Sequence, residues 1–341
     1  MAGNAPQGVS QDCCSRHEKD SIIDQANLGI AATGSSSTAA ANLFRGVLLW
    51  FNAAMKDAFH HIALIGKITN PEIREYVLAL ARFLSERGVG VLIEDNTAAF
   101  FDIQGYRTVP MADIGAHAGL AVVLGGDGTM LTVARSLVDH GIPLVGVNRG
   151  RFGFLADLTT ESMLQNVASI LDGEYVQEQR MLLGASVVRD GKIASEGRAL
   201  NDVVVSKAAT VRLIELELTI DGEFVHRQRS DGLILATPTG TTAYALSAGG
   251  PILHPTLEAI ALVPICPHTL SNRPFAINSA SRVEITLLHA DDARVHFDGQ
   301  LHSDLHPGDK VVVQRLEKTV TLLHPRGHSH YAMLREKLHW G

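Results

Sequence analysis

The stretch that decides the fold is Ala-Val-Val-Leu-Gly-Gly-Asp-Gly-Thr-Met-Leu, at residues 121–131. An apolar strand ends at Leu124 and leads directly into Gly125-Gly126-Asp127-Gly128-Thr129, after which a helix is predicted. Glycine permits positive φ and lets main-chain N–H groups come close to a ligand, and the first turn of a helix offers unpaired donors to an anion. The pattern predicts a phosphate-binding turn in which Asp127 touches the reacting group or its metal.

This turn differs from two better-known glycine-rich loops. A P-loop requires Lys-Ser or Lys-Thr after the glycines, and neither dipeptide follows here. The glycine spacing also differs from that of the dinucleotide-binding fingerprint. A plain alternative is a tight strand-to-helix turn in an open α/β sheet, and other motifs must decide between a binding turn and a plain one.

Length and composition indicate an ordinary soluble protein of more than one domain. The chain has 341 residues, and a single core usually stops growing near ~250 to 300 residues. Hydrophobic residues make up 46% and charged residues 19%, as in well-packed soluble proteins. The net charge is −7 and no dense basic block occurs, so no nucleic-acid partner is expected, because binding to phosphates needs clustered Lys and Arg.

Cysteine usage predicts a cytoplasmic protein. The chain has three cysteines, Cys13, Cys14 and Cys266, without the spacing of a metal site. An odd and sparse set of cysteines is typical of a reducing compartment. No protein metal ligands are predicted from them.

Residues 1–58 differ in composition from the rest and are predicted to form a disordered extension. Residues 31–41 are rich in Ala, Ser, Thr and Gly, and the apolar run at 46–51 is shorter than the ~20 residues that cross a bilayer. No basic segment directly precedes this run, as a signal peptide requires, so no membrane partner is expected. Met55 is a candidate natural start, because the regular pattern begins just beyond it.

Residues 59–158 alternate predicted strands with predicted helices. Such continuous apolar strands, separated by amphipathic helices, are typical of a parallel sheet that is covered on both faces. Ligands of these sheets bind at the carboxyl ends of the strands, where the turn at 125–129 and the segment Asn148-Arg149-Gly150 both fall. The strands are expected at 62–66, 91–93, 120–124 and 143–147, and the helices at 130–140 and from Asn70-Pro71 to Gly88.

Residues 159–315 are the second predicted domain. It begins with a linking helix at 161–171, and from about residue 175 the pattern changes to a period of two. Ile214, Leu216, Leu218 and Ile220 alternate with polar residues, and Asp221-Gly222 is a strong hairpin signal. Further strands are predicted at 187, 203–205, 233–236, 283–288 and 311–313. The fold class is therefore α/β plus all-β: an open parallel α/β sheet followed by a β-sandwich-like domain. The tail at about 316–341, helical near 331–338, is expected to pack back on the first domain.

The β region contains a second group of unusual residues. Thr237 to Pro251 combine glycines, small hydroxyl residues and Tyr244, a composition that suits a main chain wrapping closely around a ribose or a base. Long loops without regular structure are often functional, although a polar surface loop explains the same composition. Asn201-Asp202 supplies an amide and a carboxylate, the usual partners of vicinal ribose hydroxyls, and a simple Asx turn is the alternative there.

Six motifs in this order resemble the NAD kinase family, specifically its bacterial form. The resemblance covers the chain from about Ile62 to the C-terminus, and the leader up to Ala54 has no counterpart. Where many relatives have Glu after the asparagine, this chain has Asp202, a shorter acid that suits the same role. The motifs are Gly-Gly-Asp-Gly-Thr at 125–129, Gly-Val-Asn-Arg-Gly-Arg-Phe-Gly-Phe-Leu at 146–155, Asn201-Asp202, Asp231-Gly232 with 237–251, Pro-Ile-Cys-Pro-His-Thr-Leu-Ser-Asn-Arg-Pro at 264–274, and Asp298-Gly299-Gln300.

The resemblance implies transfer of the γ-phosphate of ATP to the 2′-hydroxyl of the adenosine ribose of NAD, with Mg²⁺ or another divalent cation. It also implies a homodimer or homotetramer whose NAD sites borrow residues from a neighbouring subunit. Asp127 matches the general base and Gly128 is its main-chain companion. The turn of Gly125, Gly126, Gly128 and Thr129 is expected to hold the donor phosphates. The remaining dinucleotide contacts that the resemblance implies are Asn201, Asp202, Arg212, Arg229, Asp231, Thr242, Ala243, Tyr244, Ala245, Leu246, Ser247 and Gln300.

The chemistry of the predicted base is compatible with phosphoryl transfer. The reaction passes through a loose transition state, so positioning and charge neutralisation matter more than a strong base. An aspartate is a weak proton acceptor at neutral pH. Asp127 is therefore expected to orient the 2′-hydroxyl and take its proton late, with binding of magnesium as the alternative.

Other interpretations stay open at this point. Arg212 and Arg229 have a plain alternative as charges on a strand face. Pro307-Gly308 after His306 favours a surface loop over a metal pair with His302. A kinase of a lipid or sugar hydroxyl would share the glycine-rich turn, but it leaves Asn201-Asp202 and 242–247 unexplained. A dinucleotide sensor without activity would not need Asp127.

Overall fold

The computed structural model describes residues 59–150, 153–208, 212–269 and 271–340. The predicted extension at 1–58 and the candidate start at Met55 lie outside the described residues. Three residues of the family motifs also lie outside them, namely Arg151, Phe152 and Leu270.

A parallel sheet with helices forms the first part of the fold. Strands β3, β2, β1, β4 and β5 lie side by side in that order, and all of them run parallel. β1, β2 and β4 consist almost entirely of buried apolar residues, as expected for a sheet that is covered on both faces. The elements are β1 (His61–Gly66), α1 (Ile73–Glu86), β2 (Gly90–Glu94), α2 (Asp95–Phe101), β3 (Arg107–Val109), α3 (Ile114–His117), β4 (Leu120–Leu124), α4 (Asp127–Leu137), β5 (Leu144–Asn148), β6 (Leu158–Thr159) and α5 (Met163–Leu171).

Apolar residues at helical spacing form the buried faces of the helices. Helix α1 buries Ile73, Val77, Leu80, Ala81 and Leu84, which are the five residues predicted from the sequence. Helix α4 begins at Asp127, three residues before the start at residue 130 that the sequence predicts. The predicted base therefore lies in the first turn of a helix, where main-chain N–H groups have no partner within the helix.

A six-stranded antiparallel sheet and the antiparallel half of the sheet that also contains β1 to β5 form the second part. The two pack face to face through a shared apolar core. The strands of the six-stranded sheet lie in the order 275–278, 259–265, 232–236, 202–207, 293–297 and 301–305. Alternate residues such as Leu216 and Leu218 enter this core, as the period of two predicts. The predicted turn at Asp221-Gly222 joins two of the strands, and both of its residues have positive φ.

The strands of the second part are β7 (Tyr175–Arg189), β8 (Lys192–Ala199), β9 (Asp202–Lys207), β10 (Ile214–Ile220), β11 (Glu223–Ser230), β12 (Gly232–Ala236), β13 (Ala259–Ile265), β14 (Phe275–Asn278), β15 (Val283–His289), β16 (Ala293–Phe297), β17 (Leu301–Leu305) and β18 (Lys310–Pro325). The short helix α6 (Tyr244–Ser247) and the terminal helix α7 (His330–Leu338) complete the fold.

Strand β18 joins the two parts. Its first half pairs with β15, whereas Leu322 in its second half pairs in parallel with Leu144 of β5. β7 accompanies β18 along both halves. The sequence predicted only residues 311–313 of this long strand. Because β7 and β18 belong to one continuous sheet, the domain boundaries at 158/159 and 315/316 stay predictions.

The C-terminal tail packs back on the first part, as predicted. Ser329 caps α7 by accepting a hydrogen bond from the Ala332 N–H at 3.3 Å, and Met333 and Leu334 are buried. A cavity of about 290 Å³ separates this helix from the start of α5. Among the described residues, no helix is both long and apolar enough to cross a membrane.

Candidate active site

The carboxylate of Asp127 is held by main-chain N–H groups. Its Oδ2 accepts from Phe154 at 2.8 Å, and its Oδ1 accepts from Leu155 at 3.0 Å and from Ala156 at 3.2 Å. A Cβ atom on Gly153 would lie 1.9 Å from Oδ1, so only glycine permits this approach. The segment after β5 therefore fixes the orientation of the predicted base through hydrogen bonds to a charged acceptor.

None of the three glycines of the turn has positive φ, contrary to the expectation from the sequence, and space requires glycine only at Gly125. Gly125, Gly126 and Gly128 are absent from the glycines with positive φ, and Gly126 is extended with φ −84° and ψ −175°. A Cβ atom on Gly125 would lie 2.6 Å from Thr129 Oγ1. A Cβ atom on Gly126 would meet only Asn148 Oδ1, at 3.8 Å. The turn thus leaves room above Gly126, and Asn148 from the end of β5 faces the same space, as the sequence predicts.

Gln300 connects this turn to the second part of the fold. It lies in the turn between β16 and β17, and its Nε2 donates a hydrogen bond to the carbonyl oxygen of Gly128 at 2.7 Å. Its Oε1 accepts from Thr132 Oγ1 at 2.8 Å and from the guanidinium of Arg135. Gln300 is therefore fixed on both sides by helix α4.

Asp298 extends this connection to Asn201 and Asp202. Its carboxylate accepts from the N–H groups of Leu200 at 3.1 Å, Asn201 at 2.7 Å and Asp202 at 3.2 Å. The same carboxylate forms an ion pair with Arg135, and both side chains are buried. Asp127 and Asn201, 74 positions apart in the chain, are thereby linked through a few hydrogen-bonded residues.

Sequence reasoning missed the roles of Arg135 and Asp298. Asp298 belongs to one of the family motifs, but the resemblance implies a contact only for Gln300 and none for Arg135. Phe297 pairs with Leu301, so Asp298, Gly299 and Gln300 form the loop of a hairpin, and the first two have φ of 52° and 64°. Asp-Gly is a common sequence in hairpin turns. That dipeptide was the available signal for a fixed carboxylate, whereas nothing local to Arg135 indicates its partner.

Asp202 is a buried acid. It is the first residue of β9. Burial is the main cause that raises the pKa of its carboxyl to about 7, and the charge of Asp298 adds to this rise. Close to neutral pH it therefore exists in both protonation states. A carboxyl group of this kind can donate as well as accept a hydrogen bond.

The loop at 237–251 wraps around Asn201, as the sequence predicts. The Thr237 N–H donates to the carbonyl oxygen of Asn201 at 2.8 Å. A Cβ atom on Gly240 would lie 2.0 Å from that same oxygen, so the two main chains are in direct contact. Thr241 Oγ1 accepts from the Leu253 N–H at 3.0 Å and holds the far end of the loop.

Thr242 to Ser247 follow on this loop, and Tyr244 is its exposed aromatic residue. Tyr244 is 47% exposed, whereas Ala245 is buried against β12 and β13. Burial raises the pKa of the Tyr244 phenol. The charges of Cys266, Asp231 and Asp202 add to this rise.

Arg212, Arg229 and Asp231 lie toward the end of β9 opposite Asn201. Asp231 forms an ion pair with Lys207, the last residue of β9, at 2.7 Å. Arg229 is exposed on β11 and lies across from Glu215 of β10. Arg212 forms an ion pair with Asp291 at 3.3 Å, and its side chain is 78% exposed. The structure thus separates these three residues from Asn201 by the length of a strand.

Comparison with known proteins identifies the family. Residues 62–175 match the model of the ATP-NAD kinase N-terminal domain, and residues 200–324 match that of the ATP-NAD kinase C-terminal domain. The NAD kinase of Thiobacillus denitrificans is 54% identical over 84% of this chain and 99% of its own length. The NAD kinase of Aromatoleum aromaticum is 54% identical over 86% of this chain and 98% of its own length.

Solved structures agree with this result. The crystal structure of yeast NADH kinase complexed with NADH has a TM-score of 0.77 and 27% identity, over 82% of this chain and 88% of the yeast chain. An NAD kinase from Archaeoglobus fulgidus in complex with ATP has a TM-score of 0.66 and 25% identity, over 81% of this chain and 99% of that one. These matches favour NAD over a lipid or sugar as acceptor. The chain belongs to the NAD kinase family, whose members phosphorylate NAD to NADP.

Proposed function

We propose that this chain transfers the γ-phosphate of ATP to the 2′-hydroxyl of the adenosine ribose of NAD, with Asp127 as the group that orients this hydroxyl. The observation that carries the proposal is the link from Gly128 through Gln300, Arg135 and Asp298 to Asn201. It joins the candidate phosphate-binding turn to the candidate ribose-binding residues. Acceptor and donor can then be held in one cleft.

The residues on each side of this cleft have different roles in the proposal. The main chain of Gly125, Gly126, Gly128 and Thr129 binds the donor phosphates, because helix α4 begins there and the space above Gly126 is open. Asn201, Asp202 and the segment Thr242 to Ser247 bind the adenosine part of NAD, with Tyr244 as a flat apolar surface. Gln300 supports both groups through its bond to Gly128.

Asp127 positions the hydroxyl more than it activates it. Phe154, Leu155 and Ala156 hold its two oxygens in place, and Oδ2, which accepts one of these three bonds, keeps further acceptor capacity for a hydroxyl. In a loose transition state the attacking oxygen loses its proton late, so an oriented aspartate is sufficient.

Magnesium, or another divalent cation, fits the donors at this turn. Asp127 offers carboxylate oxygens and Asn148 Oδ1 faces the space above Gly126, and hard oxygen donors are what Mg²⁺ prefers. A bound cation would neutralise charge on the transferred phosphoryl group. Two protein donors suffice, because Mg²⁺ commonly completes its shell with substrate phosphates and water.

Arg212, Arg229 and Asp231 contact the dinucleotide in the proposal, either within one subunit or from a neighbour in a homodimer or homotetramer. Their position away from Asn201, together with the exposure of Arg212, suits contacts to the distal part of a long ligand. The sparse cysteines of the chain support a cytoplasmic location.

The substitution Asp127→Asn tests the proposal. It keeps the size of the side chain and removes its charge, so NAD binding should be retained while kcat falls by about 10²- to 10⁴-fold. NADP formation is measured with an NADP-specific dehydrogenase, and NAD binding by calorimetry. Asp304→Asn, on the exposed side of β17, is the matched control and should leave both unchanged. Near-normal turnover of Asp127→Asn would refute the assigned role.

A further inference from the structure

Asp157, His324 and His328 form a compact group away from the glycine-rich turn. Asp157 precedes β6, His324 lies near the end of β18, and His328 precedes α7. Asp157 Oδ2 lies 2.7 Å from His324 Nδ1 and 2.9 Å from His328 Nδ1. Three separate segments thus bring three potential ligand atoms within 4.8 Å of one another.

The two imidazole rings are stacked, with centroids 3.9 Å apart and planes inclined by 18°. This stacking directs both Nδ1 atoms to the same carboxylate oxygen. Imidazole nitrogen and carboxylate oxygen are common ligands of Zn²⁺, and sites with three protein ligands leave a fourth position for water.

A second observation points to a ligand at this group. The Oδ1 atom of Asp157 is buried and has no hydrogen-bond partner, although the side chain of Asp157 is only 9% exposed. Buried carboxylate oxygens normally have a partner. The cavity of about 290 Å³ beside α7 is lined by Asp157 and His328 together with Ser162, Asn166 and Glu336, and it gives an ion and a water access to the group.

Glu178 lies on the other side of His324. Its Oε2 is 3.2 Å from His324 Nε2, the ring nitrogen that faces away from Asp157, and at this geometry Nε2 still has no hydrogen bond. Histidine ligands of metals usually donate their other N–H to a carboxylate, which fixes the tautomer. Arg180 pairs with Glu178 at 2.8 Å and keeps that carboxylate in place.

We propose that Asp157, His324 and His328 bind one divalent ion of the zinc type, which joins the terminal helix α7 to β6 and β18. The ion takes Nδ1 of each histidine and a carboxylate oxygen, and water from the cavity supplies a further ligand. The site is structural and separate from the magnesium that the kinase reaction is proposed to use.

The test uses the full chain, freed of metal with a chelator and titrated with Co²⁺. We expect one equivalent to produce the visible absorption of a four-coordinate cobalt site, and Zn²⁺ to displace the bound Co²⁺ and remove that absorption. His328→Gln should weaken Co²⁺ binding at least about tenfold, since loss of even an outer partner of a ligand costs about 10- to 100-fold. His302→Gln, on β17, is the matched control and should bind as the parent chain does.

Three results would overturn the site: no saturable visible absorption, unchanged affinity of His328→Gln, or a near-ultraviolet thiolate–cobalt band that places the ion on cysteine. The Co²⁺ titration is carried out on the unaltered chain, so the test stands even where a variant folds poorly, and failure of Zn²⁺ to displace the bound Co²⁺ also contradicts the site. NADP formation with magnesium should persist in His328→Gln, which separates this inference from the proposed kinase mechanism.

Discussion

The side chain of Gln300 donates its Nε2 hydrogen to the carbonyl oxygen of Gly128 at 2.7 Å, across a sequence separation of 172 residues. Gly128 belongs to the first turn of α4, and Gln300 belongs to a hairpin turn of the second part of the fold. This hydrogen bond therefore joins the two sides of the candidate cleft, namely the glycine-rich turn and the second part of the fold.

Replacing Gln300 with leucine should reduce turnover more than stability. The variant keeps the size of the side chain but loses the hydrogen bonds to Gly128, Thr132 and Arg135. We expect this loss to raise the activation free energy by about 1–2 kcal/mol, which lowers kcat about 5- to 30-fold. Steady-state NADP formation measures the change. Gln314→Leu, on the exposed side of β18, is the control. If the two variants have the same kcat, the bond to Gly128 does not position the reaction.

Replacing Arg135 with methionine should destabilise the protein strongly. The carboxylate of Asp298 has no exposed surface, and without Arg135 it would keep its charge in the interior, which costs about 3–5 kcal/mol. Urea denaturation measures this loss. The double variant Arg135→Met with Asp298→Asn should lose less than the sum of the two single variants, because the uncompensated charge is gone. Additive losses would contradict the pairing.

Replacing Asp202 with asparagine should stabilise the protein at high pH. The pKa of the carboxyl is raised to about 7 from an ordinary 3.8, so its ionisation opposes folding. This cost is absent below the unfolded pKa, grows as the pH rises toward 7, and is fully present above it. We expect Asp202→Asn to gain of order 2–4 kcal/mol at pH 8 relative to pH 4. Equal effects of the substitution at both pH values in urea denaturation would be inconsistent with a buried acid.

His324 should make the metal-free protein less stable above neutral pH. Its pKa is raised to about 8 in the folded state, so its contribution is fully present below 6.5 and is lost as the pH rises through 8. Asp157 and Glu178 have pKa values lowered to about 2, so their contribution is present above about pH 4 and is lost in acid.

His324→Gln should therefore remove about 1–2 kcal/mol at pH 6 and much less at pH 9. Chemical denaturation in the presence of a chelator measures both values, and His302→Gln serves as the control. A loss for His324→Gln that does not depend on pH would indicate that the ring contributes by packing alone.

Local patterns were sufficient to predict much of the fold. The buried face of α1 and the end of β4 at Leu124 were predicted to the residue, because apolar periodicity is a local property. Helix α2 was missed because its N-cap is Glu94, whose side chain accepts from the N–H groups of Asn96 and Thr97, and Glu is not among the usual capping residues.

Contacts between distant segments could not be predicted in this way. The first half of β18 contains the apolar run at 311–313, whereas Thr319 to Leu322 alternate polar and apolar residues. Only the register with β7 shows that the same strand continues after the irregularity between Arg315 and Thr319. The pairing of Arg135 with Asp298 joins positions 163 residues apart. The group at His324 depends on three segments whose proximity arises from folding alone.

The passage of β18 through both halves of one sheet determines how this enzyme can move. Residues 310–315 and 319–325 of β18 are paired with β7, and the other edge of the strand is paired with β15 at 310–313 and with β5 at Leu322. The interruption between Arg315 and Thr319 is therefore where the main chain of β18 can bend without loss of this pairing. Movement of the two parts of the fold during binding of NAD and ATP should thus be small and centred on this short segment.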